Sequence, residues 1–218
     1  MPVDIQLWTE TFCTRLREVF GSRLLFVGLQ GSWQRGEASE SSDIDMVVIL
    51  DEVGMNDLKT YRNLVSGMPE SDKACGFIGG REELLKWPRG EVFQLYYDTR
   101  PLVGRLDSFL PPFTKEDARA AVMAGAAALY HGACHACLYD ACPAQALPGL
   151  RKGAFFTLQA LHFLETGTYI RTKKRDGNAE ARPGKTIVHA PCRRGRREGF
   201  PRSDRMERQP AETVRGLG

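Results

Sequence analysis

The stretch LLFVGLQGSWQRGEASESSDIDMVVILD, residues 24–51, decides the fold of this chain. Residues 24–29 are a short apolar run of strand length, and residues 31–42 are small and polar, as is typical of a loop. Residues 44–50 are a second apolar run, rich in Val and Ile. The pattern predicts two strands joined by a polar loop.

Two acids, Asp43 and Asp45, lie at the start of the second predicted strand. Side chains two residues apart on a strand share a face, so these carboxylates are expected to project side by side. Adjacent carboxylates repel each other unless a positive charge lies between them, and Mg²⁺ prefers oxygen ligands. The glycines of the preceding loop let backbone approach a ligand closely, and Arg35 adds a positive charge. These features predict a metal-dependent site for a nucleoside triphosphate, and the alternative is a merely polar strand entry.

Short motifs follow one another in this stretch: Gly31-Ser32, Arg35-Gly36, Ala38 and Ser42-Asp43-Ile44-Asp45. In this order they resemble the signature of the polymerase-beta-like nucleotidyltransferases, and they are most similar to its minimal and aminoglycoside-type branches. Gln34 departs from the pattern, since many members carry a small residue there. The resemblance directly covers residues 31–48.

The resemblance implies an α+β fold, with a mixed sheet and flanking helices, and an enzyme that transfers AMP from ATP to a hydroxyl acceptor with two Mg²⁺ ions. Asp43 and Asp45 would hold the metal. The residues expected to contact the nucleotide are Gly31, Ser32, Arg35 and Ser42. Three alternatives stay open: an aminoglycoside-like small molecule as acceptor, a hydroxyl-bearing side chain of a partner protein in a toxin–antitoxin pair, and an inactive module that only binds the nucleotide.

A third carboxylate from a neighbouring strand, between two apolar residues, is also implied by the resemblance. Residues 91–99, EVFQLYYDT, alternate and predict that strand. Gln94 lies closest to the implied position and carries no charge. Asp98 shares its face about 13 Å further along an extended strand. Asp98 is therefore predicted as the third catalytic and metal-binding acid, with Glu91 as the alternative and a simple strand-end acid as the non-catalytic reading.

Apolar periodicity predicts further helices and one more strand. Together with the resemblance, these elements divide the chain into three segments. Helices are expected over residues 4–20, 54–67 with Asn56 as the N-cap, 114 to about 142 with Thr114 as the N-cap, and 150–166. A strand over 74–78 is expected to end at Gly79-Gly80. The segments are a nucleotidyltransferase domain (1–112), a helical segment (113–172) and a basic tail (173–218).

The composition restricts the classes of protein to be considered. The net charge of +3 comes mainly from the tail, so the rest of the chain is not a basic nucleic-acid binder. No unbroken apolar run reaches the roughly 18 residues that cross a bilayer, the N-terminus does not resemble a signal peptide, and the six cysteines are scattered. A cytoplasmic protein without a membrane partner is expected.

The tail is rich in Arg, Gly and Pro and has few large apolar residues, so it is predicted to be disordered or read in a shifted frame. The helical segment would then lack covering helices, which predicts a homodimer formed through its exposed apolar faces.

Overall fold

A four-stranded mixed sheet forms the centre of the protein in a computed structural model that describes residues 3–171. The spatial order of the strands is β3-β2-β1-β4, and β1 runs antiparallel to both β2 and β4 while β2 and β3 are parallel. The strands are β1 (Leu24–Leu29), β2 (Ile44–Leu50), β3 (Ala74–Gly80) and β4 (Arg100–Val103).

Seven helices accompany this sheet in the described part of the chain. They are α1 (Ile5–Phe20), α2 (Gly31–Arg35), α3 (Met55–Ser66), α4 (Arg81–Lys86), α5 (Arg89–Tyr97), α6 (Lys115–Tyr139) and α7 (Leu147–Thr166). The α+β fold expected from the sequence is confirmed. The predicted tail, residues 173–218, lies outside the described residues.

The strand β2 contributes side chains to both faces of the sheet, as the unbroken apolar run over its residues 46–50 requires. One face packs with α1, whose Phe12 and Leu16 are fully buried. Val47 and Ile49 point to the opposite face, where they join a second core with residues of α4 and α5. The side chains of β2 in the first core are Ile44, Met46, Val48 and Leu50.

The predicted strand over residues 91–99 is wrong, because these residues form α5 and β4 follows it. Val92 and Phe93 are buried, and apolar residues three and four positions later satisfy a helical period as well as an alternating one. Phe93 decides between the two periods, since it lies at the centre of an aromatic cluster drawn from three parts of the chain. Its ring contacts Tyr97, Phe113, Phe163 and Tyr169.

Residues 31–35, predicted as part of a loop, form the short helix α2. Three element boundaries also differ from the predictions. The N-cap of α3 is Gly54, whose N–H donates to the Asp57 carboxylate at 2.9 Å, and not Asn56. The strand β3 continues through Gly79-Gly80. The helix α7 begins at Leu147 with Pro148 in its first turn, where the missing N–H of proline costs no hydrogen bond.

The helices α6 and α7 form an antiparallel hairpin in which glycines allow close packing. A Cβ on Gly125 would overlap the Thr157 side chain, and one on Gly132 would lie 3.1 Å from Leu150. At the base of the hairpin, Gly90 of α5 brings its backbone against that of α6. The sheet and the hairpin are therefore joined by direct helix packing.

By length and composition alone, α6 is long and apolar enough to cross a membrane. The lengths of the unbroken apolar runs in the sequence did not indicate this. Here it packs against α5 and α7, and its Ala118 and Ala136 are buried. Met123, Tyr130 and Leu138 are exposed on it.

We expect the change of Phe93 to Ala to lower the free energy of unfolding by about 3–5 kcal/mol, because it empties the centre of the aromatic cluster. Urea unfolding measures this loss. The change of Leu7 to Ala is the control: Leu7 is 61% exposed, so we expect a change within about 0.5 kcal/mol. Equal losses in the two variants would contradict a packing role for Phe93.

Candidate active site

The turn between β1 and α2 places backbone directly against one of the two predicted metal-binding acids. Gly31 has a φ of +69°, a conformation that favours glycine. A Cβ at this position would overlap Oδ2 of Asp45. The N–H of Gln30 also donates to the Asp45 carbonyl at 2.8 Å. The backbone at position 31 approaches the Asp45 carboxylate so closely that only glycine fits there.

Asp43 and Asp45 lie together at the start of β2, as predicted, but in different surroundings. Asp43 is exposed, whereas Asp45 is half-buried. Burial raises the pKa of Asp45 above its ordinary value, and the negative charge of Asp43 also raises it. The positive charges of Lys152 and Arg35 act in the opposite direction and lower this pKa. Lys152 of α7 is a site residue that the sequence analysis missed, since only the packing of the hairpin brings it near β2.

Ser32 and Ser42 lie at the two ends of the loop. Ser32 is in the first turn of α2, and its carbonyl accepts the N–H of Glu37 at 2.8 Å. The hydroxyl of Ser42 accepts the N–H of Ser39 at 2.9 Å. Ser42 therefore supports the loop next to Asp43.

Arg35 does not face solvent as a loop cation would. Its side chain is 4% exposed. Its Nη1 donates to both carboxylate oxygens of Asp98, at 3.0 and 2.8 Å, and its Nε donates to Glu37 at 3.1 Å. The guanidinium also lies 5.9 Å from the ring centroids of Phe155 and Phe156 on α7. Arg35 is thus held by protein groups on several sides.

Asp98 is buried at the C-terminal cap of α5, not on a strand. Burial raises the pKa of Asp98, and the charge and hydrogen bonds of Arg35 and the backbone N–H of Gly31 lower it. Asp45 lies near enough to raise it further. The structure therefore brings Asp98 to the site, but with its carboxylate bound to Arg35.

The two strands that flank the β1–β2 pair carry no acid. The partner of Asp45 in β3 is Cys75, and β4 reads Arg-Pro-Leu-Val. Glu91 is exposed in the first turn of α5. Within residues 3–171, no three His, Cys, Asp or Glu side chains are grouped closely enough to hold a metal ion between them. A third ligand role for Asp98 or Glu91 remains a prediction.

Two buried side-chain atoms of α2 have no hydrogen-bond partner among the described residues: Nε1 of Trp33 and Oε1 of Gln34. Buried polar atoms are normally paired, so an unpaired donor and acceptor on neighbouring residues are unusual. Both belong to the segment that connects Gly31 to Arg35.

A cleft of about 360 Å³ lies between α5, α6 and α7. Its walls are mostly glycine and alanine, and the polar residues among its lining are Glu91, Gln94 and Thr157. Phe156 also lines the cleft and contacts Arg35, so the cleft adjoins the site around Asp45 and Asp98.

Comparison with known proteins gives structural matches alone. No protein-family model and no curated protein sequence matches the chain. The crystal structure of spectinomycin adenyltransferase AAD(9) from Enterococcus faecialis with ATP and spectinomycin is similar at a TM-score of 0.50 and 12% identity, over 76% of this chain and 78% of that one. The chain therefore has a nucleotidyltransferase-like α+β fold.

Two toxin–antitoxin structures are more distant matches to the nucleotidyltransferase fold of this chain. One is a complex with AMP-PNP, at a TM-score of 0.34 and 17% identity over 60% of this chain and 95% of that one. The other is a mutant of the pair MntA-HpeT, at a TM-score of 0.32 and 15% identity with the same coverage.

The donor set at the start of β2 fits a hard divalent cation. Two carboxylates, from Asp43 and Asp45, supply oxygen ligands, and the backbone of Gly31 lies so close to Asp45 that a Cβ there would overlap Oδ2. Mg²⁺ commonly binds through one or two carboxylates and completes its shell with water and substrate phosphates. These residues would therefore hold Mg²⁺ in the nucleotidyltransferase fold.

We expect the change of Gly31 to Ala to destabilise the protein more than the change of Gly36 to Ala. Both glycines have a φ of +69°, and a Cβ on Gly36 meets nothing within 4 Å. The Gly36 variant pays the backbone strain alone, about 1–2 kcal/mol. The Gly31 variant adds the overlap with Asp45. Urea unfolding of the two variants measures the difference, and equal losses would show that the overlap is relieved without cost.

Proposed function

We propose that this protein is a cytoplasmic, Mg²⁺-dependent nucleotidyltransferase that transfers AMP from ATP to a hydroxyl group of a small-molecule acceptor. The observation that carries the proposal is the pair Asp43 and Asp45 beside the close turn at Gly31, within a nucleotidyltransferase fold. The unpaired buried atoms of Trp33 and Gln34 support it, because they lie in the segment that would contact the nucleotide.

In the proposed reaction, the oxygen of the acceptor hydroxyl forms a bond to the α-phosphorus of ATP and its proton is released to water. The bond from that phosphorus to the oxygen that bridges to the β-phosphorus breaks, and pyrophosphate leaves. Mg²⁺ bound by Asp43 and Asp45 would supply charge neutralisation at the phosphates.

The chain's own groups would orient the triphosphate. Gly31 would let the backbone of this segment lie close to Asp45. Ser32 would offer its backbone N–H and hydroxyl to the β- and γ-phosphates. Lys152, close to Asp45, would balance their negative charge.

The acceptor would bind in the cleft between α5, α6 and α7. Glu91 would attract an amino group and Gln94 would offer an amide to a hydroxyl-rich ring. Glu91 and Gln94 together fit an acceptor of the aminoglycoside-like class, which carries both amino and hydroxyl groups. The adenyltransferase AAD(9), similar in fold, was crystallised with ATP and spectinomycin, and this supports the same class.

Pyrophosphate release tests the proposal. The protein is incubated with each of the four NTPs, with Mg²⁺, and with and without a panel of aminoglycosides. We expect release with ATP that requires an acceptor and falls at least 100-fold in the variant Asp45→Asn. The control Asp51→Asn removes a carboxylate just beyond the opposite end of β2 and should retain activity. Release that survives in Asp45→Asn would overturn the proposed role of the acid pair.

Metal affinity should also depend on pH in a defined direction. Only the ionised carboxylate binds a cation, and burial raises the pKa of Asp45. Affinity for Mn²⁺ is therefore expected to fall as the pH is lowered through this raised pKa, at a higher pH than for an ordinary aspartate, whose pKa is about 3.9. Calorimetric Mn²⁺ titrations between about pH 4 and pH 7 measure this. An affinity that stays constant until the ordinary value is reached would contradict it.

A non-catalytic nucleotide-binding module is the second candidate, and one observation favours it. The strands on either side of the β1–β2 pair lack a carboxylate, and Asp98 is bound to Arg35. ATP binding in calorimetry without pyrophosphate release under any acceptor condition would select this candidate.

A protein acceptor, as in a toxin–antitoxin pair, is favoured by the exposed apolar residues of α6, including Met123, Tyr130 and Leu138. Transfer of labelled AMP to a co-purified protein would distinguish it from a small-molecule acceptor.

A further inference from the structure

The buried pair of Arg35 and Asp98 closes the candidate site on the side of α5. The two side chains are 4% and 8% exposed, and 63 positions in sequence separate them. Both Asp98 oxygens accept from Nη1 of Arg35, at 3.0 and 2.8 Å. The backbone N–H of Gly31 lies close enough to this carboxylate to lower its pKa.

These contacts place Asp98 against both ends of α2. Gly31 is the first residue of α2 and Arg35 is the last. The segment between them contains Ser32, the residue proposed to contact the phosphates. One carboxylate is therefore bonded to the last residue of this five-residue segment and lies beside its first.

The bonds leave Asp98 poorly placed to bind a cation. A metal ligand would need at least one oxygen free of Arg35, and the buried guanidinium would then lose part of its charge partner. A buried charge without its partner is strongly unfavourable. Arg35 itself is a positive charge beside Asp98 and opposes a second cation there.

We propose that Asp98 is a positioning residue that fixes α2 against Asp45 through Arg35 and Gly31, and that it does not bind metal. The proposal rests on the proposed function only in taking α2 as the nucleotide-contacting segment. Loss of Asp98 should loosen α2 and weaken ATP binding while metal binding by Asp43 and Asp45 is kept.

Hydrogen–deuterium exchange of the whole protein tests the positioning directly, without nucleotide or metal. The variant Asp98→Asn keeps the size of the side chain but turns one acceptor into a donor that faces Arg35. We expect backbone amides of residues 32–37 to exchange at least about 10-fold faster than in the parent. Unchanged exchange in this segment would overturn the proposal.

The matched control is Asp57→Asn. Asp57 also accepts two bonds from one arginine, Arg23, at 2.8 and 3.2 Å, and one from a glycine N–H, that of Gly54. It lies at the start of α3, away from α2. Its loss should speed exchange around residue 54 and leave residues 32–37 as in the parent. Faster exchange of residues 32–37 in both variants would mean general loosening and would also overturn the proposal.

A double-mutant cycle on ATP affinity separates positioning from direct binding. The variants are Arg35→Met, Asp98→Asn and their combination, each titrated with ATP in Mg²⁺. If Asp98 acts through Arg35, each single variant weakens ATP binding by about 10-fold and the combination is no weaker than the worse single variant. Multiplied losses would overturn the proposal. If Arg35→Met does not fold, Arg35→Lys keeps the charge without the paired geometry and takes its place.

Mn²⁺ titration without nucleotide distinguishes positioning from metal ligation. We expect Asp98→Asn to bind Mn²⁺ within about 2-fold of the parent, and Asp45→Asn to bind at least about 10-fold more weakly. Equal losses in the two variants would identify Asp98 as a ligand and overturn the proposal. A parent that binds neither Mn²⁺ nor ATP would refute the proposed function, and the exchange experiment would still decide the role of Asp98.

Discussion

The burial of one guanidinium, that of Arg35, constrains how the parts of this protein come together. A charge removed from water is tolerated only when it is paired and hydrogen-bonded. The partners of Arg35 come from separate parts of the chain: Glu37 from the loop, Asp98 from the end of α5, and the aromatic rings of Phe155 and Phe156 from α7. The loop, the helix before β4 and the hairpin must therefore meet at one point.

The local part of this arrangement could be predicted from the sequence. The two strands, the turn at Gly31 and the side-by-side placement of Asp43 and Asp45 depend on neighbours within a few residues, and such patterns are visible in a single chain. The same holds for the caps of α1 and α6, where Asp4 and Thr114 accept backbone N–H groups one turn on.

The nonlocal part could not be predicted, and α5 shows why. Its sequence satisfies an alternating period and a helical one, and the choice depends on Phe93 packing against Phe113 and Phe163, which lie 20 and 70 residues away. The placement of a third carboxylate by strand spacing depended on that choice. Asp98 still lies at the site, although at the C-terminal end of a helix and with its carboxylate bound to a buried guanidinium.

The α6–α7 hairpin contributes to the candidate site although it lies beyond the predicted segment boundary near residue 112. The family resemblance and the periodicity of the sequence predict a nucleotidyltransferase unit followed by an appended helical segment. Yet α7 supplies Lys152, whose charge lowers the pKa of Asp45, and the rings over Arg35, and α5 reaches the hairpin through Gly90 and Phe93. If the hairpin were removed, Arg35 would lose the rings of Phe155 and Phe156, and Asp45 would lose the positive charge of Lys152. The candidate site therefore depends on both the sheet and the hairpin.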